Sequence, residues 1–528
     1  MTDRWTEAQL RGDLYWVLAV TWAGGTYYVS TEALYITDGT GAITTTPDLV
    51  DAPQVEEALE IWSVESPRLS VPLSFILPVD VPGLIAEGHA LDGAVGELSQ
   101  WAAGTEWDER RVVVRGKLVD PEYGAEWEPV TCSLEEMVAD DQTTLPIEPI
   151  TIASWLAEAI NPAATVSDAG VMIPMVWGTP GDGVAAGSPA VIVGTTATLV
   201  YVAIACHYVE AFSVDIIDSA GTTETFVVYP VDVRQYFGTT RGIPVVSYVT
   251  IDTSTSSLVL TDPLFVVWNN GAALVDESAQ AIRGAGDLLA HILRRSALRV
   301  DWSRVDSARV LLNQYATSGY IDEPVTLGEY ISEVLASVFP FAMAVGAGGV
   351  YPYVWPVYPD ASQAVAALST DVDPNLERVG RIAYEGSDEV ATYVELRYTW
   401  DPQTSGYRSS RRITGEVHVA DPFRVAIKQL VGPVSRYGLR RKVVETTIVH
   451  DANTATKVLV AQAARYGQPS RVVQYIAPQR YGWLRRGDLV TLTDVEIAAQ
   501  AQVMLIEGIT WGEDATVTLT LRYIETGA

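Results

Sequence analysis

The 528-residue sequence is poor in the side chains that build most metal and redox centres. It has only two cysteines, Cys132 and Cys206, too few for a disulfide framework or a cysteine-rich metal site. Its five histidines are scattered, and none has a second histidine three or four residues away, as a zinc-binding helix requires. We therefore expect no bound metal and no cofactor, and we interpret both cysteines as buried thiols.

Long apolar segments are also missing. The longest apolar run, residues 199–206, is too short to cross about 30 Å of hydrocarbon. No apolar signal region follows the first five residues. The sequence therefore predicts a protein that is made and folds in a cytoplasm.

Local signatures of catalysis are absent. There is no Gly-x-Ser-x-Gly elbow and no phosphate loop ending in Gly-Lys-Ser/Thr. Asp371, Asp373 and Asn375 mimic the start of a calcium loop. However, Leu376 stands where that loop needs Gly and Ile382 where it needs Glu, so we interpret the stretch as an acidic linker. Many carboxylates could form a glycosidase pair, but no pair stands out. We predict that the protein is not an enzyme.

Positive charge is scarce and concentrated in one block. The formal net charge is −32, yet residues 377–487 hold 18 Lys and Arg against 10 Asp and Glu, whereas residues 1–140 hold 7 against 25. Nucleic-acid-binding domains usually carry a basic stripe, whereas most of this chain would repel phosphate. The charge either keeps the surface solvated or makes the basic block complementary to acidic neighbours in an assembly. For the second case we predict interface positions for Arg411, Arg412, Arg440, Arg441 and Lys442.

Strand signals dominate the N-terminal part of the chain. Gly24 and Gly25 indicate a hairpin turn between strands at 15–21 and 26–30. Further strands are predicted at 68–77, 111–119 and 127–132. The sequence Ser133-Leu134-Glu135-Glu136 has the form of a capping box and predicts a short helix.

The rest of the chain mixes helices and strands. Predicted helices are at 152–160, within 279–298, after the capping box of Thr326 and Glu329, and after a cap at either Asp451 or Asn453. Predicted strands fill 187–270, and a hairpin turn is expected at 346–349. From residue 391 onward we expect one β barrel flanked by one helix, with strands at 391–400, 407–418, 440–448, 471–475, 489–493, 503–509 and 517–523.

Several weak motifs occur in an order that is familiar. They are Val112–Asp120 (VVVRGKLVD) leading to Trp127–Val130, Ile173–Gly178 (IPMVWG), a helix near 454–465, Ala477-Pro478, Leu484–Leu492 (LRRGDLVTL) and Ile506–Ile509. In this order they resemble the tail hub, or baseplate hub, proteins of tailed bacteriophages and gene-transfer-agent-like particles. Residues 179–270 have no counterpart in the resemblance, and we interpret them as peripheral.

The resemblance implies a fold class and a domain plan. We expect a mixed α+β, β-dominated multidomain protein with two tail-tube-like β barrels, each flanked by a helix, plus smaller α/β and β domains. The expected domains are an N-terminal barrel-type domain at 1–145, a β-rich inserted or peripheral domain at 146–275, an α+β domain at 276–376 and a C-terminal barrel-type domain at 377–528.

The resemblance also implies a function. Hubs of this class are homotrimers whose six barrels form a ring between the sixfold tail tube and the threefold tip, at the virion tail tip. The implied partners are further copies of the chain, distal tail or tail tube proteins, a central tip or fibre protein, and double-stranded DNA that passes without specific binding. Two alternatives remain open: a receptor- or carbohydrate-binding tip protein, and a tail-associated hydrolase.

Overall fold

The structure is a computed structural model that describes most of the chain. The described residues are 14–37, 42–50, 55–56, 70–124, 128–136, 144–146, 149–232, 245–261, 263–268, 281–296, 298–346, 348–385, 390–414, 436–467, 469–512 and 516–524. Strands outnumber helices among them, so the predicted β-dominated α+β class is confirmed. None of the helices in these ranges is both long and apolar enough to cross a membrane.

An antiparallel sheet of six strands, the N-terminal sheet, opens the chain. Its strands are β1 (Leu14–Trp22), β2 (Gly25–Ser30), β6 (Ser70–Phe75), β7 (Val95–Ala102), β8 (Arg111–Glu122) and β9 (Val130–Glu136), in the order β2-β1-β7-β8-β9-β6. Between them lie β3 (Tyr35–Thr37), β4 (Ala42–Thr44), β5 (Val55–Glu56) and helix α1 (Val81–Ala86). The hairpin predicted around Gly24 and Gly25 is confirmed.

One segment joins both edges of the N-terminal sheet. Thr46 accepts a backbone hydrogen bond from Ser30 on β2 at 2.9 Å, while Val50 donates one to Ser74 on β6 at 2.8 Å. Because edge β2 and edge β6 bond to the same short segment, the sheet curls until its edges are linked. Its inner face carries alternate residues of β1, such as Trp16 and Leu18.

The helix predicted at Ser133–Glu136 is wrong, because these residues belong to β9. Ser133 lies opposite Pro72 on β6 and Val119 on β8, so β9 has a partner on each side. Leu134 is fully buried in the sheet interior. A capping box is a local signal, and here ladder bonds and burial on two sides outweigh it.

A second curled sheet, the central sheet, fills residues 188–267. Its strands are β13 (Ser188–Thr195), β14 (Leu199–Ala205), β15 (Ser213–Ile217), β16 (Thr223–Val227), β17 (Tyr229–Asp232), β18 (Val245–Asp252) and β19 (Leu264–Val267), in the order β16-β15-β19-β13-β14-β18-β17. The edge strands β16 and β17 are separated only by Val228, which brings the two edges together. Helix α2 (Ser154–Ile160), predicted at 152–160, packs on the outer face, and β11 (Thr165–Val166) adds to β13.

A helical core lies between the central sheet and the C-terminal region. It contains α3 (Ala285–Arg295), α4 (Trp302–Leu312), α5 (Leu327–Glu329) with the π-helical turn Tyr330–Leu335, and the hairpin β22 (Phe341–Gly346) and β23 (Gly349–Val354). Short pairs border it: β10 (Thr144–Leu145) with β21 (Val325–Thr326), and β12 (Met175–Trp177) with β20 (Gly319–Ile321). The predicted capping box is confirmed, because Thr326 and Glu329 each accept a hydrogen bond from the other's backbone N–H.

The strands that follow residue 390 do not all enter one barrel. A three-stranded sheet forms from β26 (Tyr393–Asp401), β27 (Gly406–Thr414) and β28 (Arg441–Glu445), in the order β27-β26-β28. Helix α6 (Ala452–Tyr466) covers this sheet and joins the helical core, and its cap is Asp451 rather than the alternative Asn453. The helix expected to flank the C-terminal barrel therefore packs on other strands. The last four residues of the strand predicted at 407–418 lie outside the described residues.

The C-terminal sheet closes the chain. It consists of β24 (Ala366–Ser369), β25 (Glu377–Glu385), β29 (Ser470–Pro478), β30 (Leu489–Asp494), β31 (Ala499–Trp511) and β32 (Thr516–Tyr523), in the order β24-β30-β31-β32-β29-β25. Strand β5 pairs with the far end of β31. The edges β24 and β25 are joined by residues 370–376 alone. Single 3-10 turns lie at Trp107–Glu109, Pro180–Gly183, Ala361–Gln363, Gln479–Tyr481 and Val495–Ile497.

The N-terminal and C-terminal sheets share one hydrophobic core. Side chains from β1 and β8 belong to the same buried cluster as side chains from β30, β31 and β32. Polar bonds tie the sheets together at one end, where Arg111 donates to the carbonyl oxygen of Gln479 at 2.9 Å and the amides of Gln479 and Gln100 are bonded. Two sheets nearly 400 residues apart in sequence thus form one packed unit.

Candidate assembly interface

The three-stranded sheet carries the basic block and presents two different faces. On β26 the side chains of Val394 and Leu396 are fully buried against the helical core, whereas Glu395 between them points to the other face. Side chains alternate along a strand, so neighbouring residues on β27 and β28 also point to opposite faces of the sheet. The five predicted interface residues are therefore divided between an inner and an outer face.

Arg411 and Lys442 lie on the inner side, where α6 packs. Arg411 donates to the carbonyl oxygen of Ala452 at 3.1 Å and to the hydroxyl of Thr456, both in the first turns of α6. The ammonium of Lys442 lies 3.1 Å from the ring centroid of Tyr466 at the other end of that helix, a cation–π contact. These two cations fasten α6 to the sheet.

Arg412 and Arg441 lie on the outer face of the sheet. Arg412 is opposite Glu395 in the β26–β27 register, and Arg441 is opposite Tyr393 in the β26–β28 register. Arg441 forms an ion pair with Glu395. Both arginines are exposed, so they remain available to a partner in a way that Arg411 and Lys442 are not.

Arg397 completes the outer face, although no sequence pattern drew attention to it. Its guanidinium contacts Glu395 at 3.1 Å and Glu445 at 2.7 Å. Hydrogen bonds from Arg441 and Arg397 hold the pKa of Glu395 below its ordinary value, and bonds to both carboxylates raise the pKa of Arg397. The alternation of charged residues at 395 and 397 is the signal that could have identified this row.

Arg440 occupies a third environment, just before β28. Its backbone N–H donates to the hydroxyl of Thr392 at 2.7 Å, and its guanidinium lies 5.4 Å from the ring of Tyr437. We define the outer face as Arg397, Arg412, Arg441, Glu395 and Glu445. It carries three guanidinium groups and two carboxylates, so the excess of positive charge there is small. The interface role of the five basic residues stays a prediction.

The cysteines and some of the calcium-loop residues noted in the sequence are engaged in contacts within the fold. Cys132 is buried as predicted, and burial raises the pKa of its thiol to about 12; Cys206 is only partly buried. The calcium-loop residue Asp373 is buried, accepts a hydrogen bond from the backbone of Asn375 at 3.1 Å and pairs with Arg480. No group of three or more His, Cys, Asp or Glu side chains within the described ranges could hold a metal ion.

Comparisons with known proteins found similar solved structures but no matching family. No family model matches the sequence, and no curated protein matches it. The chain is similar to the solved structure of a tail protein from Neisseria meningitidis MC58, with 10% identity, 97% of this chain and 96% of that chain covered, and a TM-score of 0.36. It is also similar to a 43 kDa tail protein of prophage MuSo2 from Shewanella oneidensis, with 10% identity, coverages of 96% and 98%, and a TM-score of 0.31.

A third similar structure belongs to the virion of a native gene transfer agent particle. The identity is 14%, the alignment covers 47% of this chain and 82% of that chain, and the TM-score is 0.19. TM-scores this low do not establish a shared fold. We therefore base the function on the architecture and the motifs of this chain.

Proposed function

We propose that the protein is a structural component of a phage tail, specifically the tail tip or baseplate hub, and that it is not an enzyme. The observation that carries the proposal is the pair of curled sheets, one of six strands and one of seven when β5 is counted, that lie at opposite ends of the chain and pack on one core. Two similar barrels in one chain allow three chains to present six related surfaces to a sixfold tube. We infer that both sheets are barrels of the tail-tube type.

The motifs that carry the resemblance support this assignment by where they lie. Val112–Asp120 lies within β8 of the N-terminal sheet, and Leu484–Leu492 leads into β30 of the C-terminal sheet. The Arg-Gly-Asp triplet inside the second motif is a turn, in which Asp488 accepts a hydrogen bond from the backbone of Arg485 at 2.8 Å. Both nine-residue motifs therefore lie in, or lead into, the two sheets that share a core.

In the proposed assembly the chain is a homotrimer at the virion tail tip, made in the bacterial host cytoplasm. Its ring would join the sixfold tail tube, or a distal tail protein, to a central tip or fibre protein, and would line the DNA exit channel. The outer face of the three-stranded sheet is our candidate contact with acidic surface on a neighbour. The domain plan given above remains part of the proposal.

We further propose that acidic and neutral side chains line the channel. Neutralising several phosphates releases counterions and binds DNA tightly, which a conduit must avoid. Residues 1–140 hold 25 acidic against 7 basic side chains and would supply that lining if the N-terminal sheet contributes to the inner wall.

Native mass measurement of the purified chain, together with imaging of particles that carry a labelled copy, tests the proposal. We expect a trimer and a label at the tail tip, with a channel wall poor in Lys and Arg. A chain that is only a monomer or only a hexamer, both alone and in particles, would exclude the hub. A channel lined by clustered Lys and Arg would exclude the conduit.

A second candidate function is binding of a receptor glycan. Three aromatic side chains around the rim of the central sheet are exposed: Phe212 (79%), Tyr208 (53%) and Tyr229 (47%). Tyr229 also packs on Tyr248, with ring centroids 5.9 Å apart. Exposed aromatic groups are typical of recognition surfaces. Saturable binding of a soluble host glycan that is lost in Phe212→Ala would favour this candidate.

A further inference from the structure

Residues 175–183, which we call the connector, join the central sheet to the helical core. Val176 is fully buried in the core of the central sheet, whereas the next side chain, Trp177, is fully buried in the helical core and contacts Tyr330 edge-on, with ring centroids 6.1 Å apart. Gly178 has a φ of +63°, and a Cβ there would lie 2.4 Å from the carbonyl oxygen of Thr317. The connector is thus closely packed between the central sheet and the helical core.

Side chains from distant parts of the chain accept hydrogen bonds from the connector's backbone N–H groups. His207 Nε2 accepts from Val176 at 3.0 Å, and His450 Nδ1 accepts from Gly181 at 3.0 Å. Between them, the hydroxyl of Ser318 accepts from Thr179 at 2.9 Å. Only the histidines among these acceptors can be protonated near neutral pH.

The second nitrogen of each imidazole fixes its state. His207 Nδ1 lies 2.9 Å from the carbonyl oxygen of Tyr208, and His450 Nε2 lies 3.1 Å from that of Thr447. Each ring therefore donates through one nitrogen and accepts through the other, the pattern of a neutral imidazole. A protonated ring would have to donate through both and would point a proton at the connector's N–H.

Surrounding charges act differently on the two rings. Burial lowers the pKa of His207 to about 4, and the positive charge of Arg295 on α3 acts in the same direction. Burial lowers the pKa of His450 to about 4 against the opposing charge of Asp451. Asp182 in the connector faces Asp451, and burial together with that charge raises its pKa.

We propose that the connector is an acid-sensitive latch: protonation of His207 and His450 would break both hydrogen bonds and release the connector from the central sheet and the helical core. The folded rings resist protonation, so acid favours the state in which the connector is open. The closed connector starts to lose stability as the pH falls below 6.5, the ordinary pKa of histidine, and the loss reaches its full size near pH 4. The shift between these values corresponds to on the order of a hundredfold change in the opening equilibrium for each histidine.

Hydrogen exchange of the full chain, measured by mass spectrometry and corrected for intrinsic rates, tests the latch. Between about pH 7 and about pH 4.5, we expect exchange in the connector to rise at least about tenfold relative to β29–β32. The double variant His207→Gln and His450→Asn replaces each accepting nitrogen with an amide oxygen that does not titrate. We expect the acid response of its connector to be lost. His89→Gln, at an exposed histidine, is the matched control and should behave like the unmodified chain.

A second measurement protects the test if the double variant folds poorly. In the unmodified protein labelled at histidine, NMR signals of His207 and His450 should stay those of neutral imidazole to below about pH 5. Titration of either ring near 6.5 would overturn the latch, as would a connector that loosens equally in the double variant. Neither result bears on whether the protein is a tail hub, because the latch does not depend on that assignment.

Discussion

The N-terminal and C-terminal sheets have the same number of main strands and share a core, yet their edges are brought together differently. In the N-terminal sheet, backbone hydrogen bonds from residues 46–50 reach both edge strands. In the C-terminal sheet, residues 370–376 link the edges covalently, and their buried Asp373 pairs with Arg480. Backbone bonds tolerate many sequences, whereas a buried carboxylate needs its specific partner, so the C-terminal closure should be the more sensitive to substitution.

Both sheets also hold a buried carboxylate, but the partners differ. Glu97 of the N-terminal sheet lies between two guanidinium groups, those of Arg110 at 2.6 Å and Arg115. Asp494 of the C-terminal sheet accepts a hydrogen bond from the hydroxyl of Tyr475 at 2.5 Å and lies 3.5 Å from the guanidinium of Arg378. Glu97 is thus held by two arginines, whereas Asp494 shares its contacts between one hydroxyl and one arginine.

The largest expected effect tests whether the two sheets are one cooperative unit. Leu98→Ala in the N-terminal sheet and Leu519→Ala in the C-terminal sheet each empty a fully buried site in the shared core. We expect each to lower the free energy of unfolding by about 2–5 kcal/mol and to shift the same denaturant transition. Leu439→Ala, at a side chain that is 73% exposed, is the control. Two separate transitions, each moved by only one variant, would show that the sheets unfold independently.

A smaller effect should test the ionic cluster around Glu97. Burial opposes ionisation of Glu97, but hydrogen bonds and charges from Arg110 and Arg115 outweigh it and hold its pKa below the ordinary value. Its contribution is therefore full above pH 4.5 and is lost as the pH falls through the lowered pKa.

Urea unfolding of Glu97→Gln across a pH series measures this contribution. We expect a loss of about 1–3 kcal/mol at neutral pH that shrinks in acid. Glu122→Gln, at an exposed position of the same sheet, should change little. If Glu97→Gln lowered the free energy of unfolding by the same amount at every pH, the charge of Glu97 would not be what stabilises the fold.

The smallest effects on unfolding should distinguish the two faces of the basic block. The outward pair Arg412→Glu and Arg441→Glu should change the free energy of unfolding by less than about 1 kcal/mol, because exposed ion pairs contribute little. It should nevertheless weaken assembly, most strongly at low salt. The inward pair Arg411→Glu and Lys442→Glu should lower the free energy of unfolding by about 1–2 kcal/mol through lost contacts with α6.

Unfolding and native mass measurements on both pairs decide between the faces. Normal assembly of the outward pair at low salt would end the interface proposal. An inward pair as stable as the unmodified chain would contradict the contacts with α6.

Elements that rest on neighbouring residues were predictable. The turn at Gly24 and Gly25, the capping box of Thr326 and the cap at Asp451 involve bonds between residues a few positions apart, so the sequence contains all their partners. The same kind of signal misled at Ser133, where a local capping pattern lies in a strand with partners on both sides. The basic block was visible in the sequence, but its division into two faces was not predicted. Strand alternation turns Arg411 towards α6 and Arg412 towards the outer face.

The sequence by itself determined the β-dominated class, most strands and helices, and the location of the basic block, because hydrophobic periodicity, turn residues and charge are local properties. Only the tertiary structure decided that β26–β28 leave the C-terminal sheet, which arginines face outward, and that His207 and His450 meet on one connector. Those outcomes depend on which faces can be buried together across hundreds of residues. Any one strand's own pattern is compatible with several partners, and packing of the whole chain selects among them.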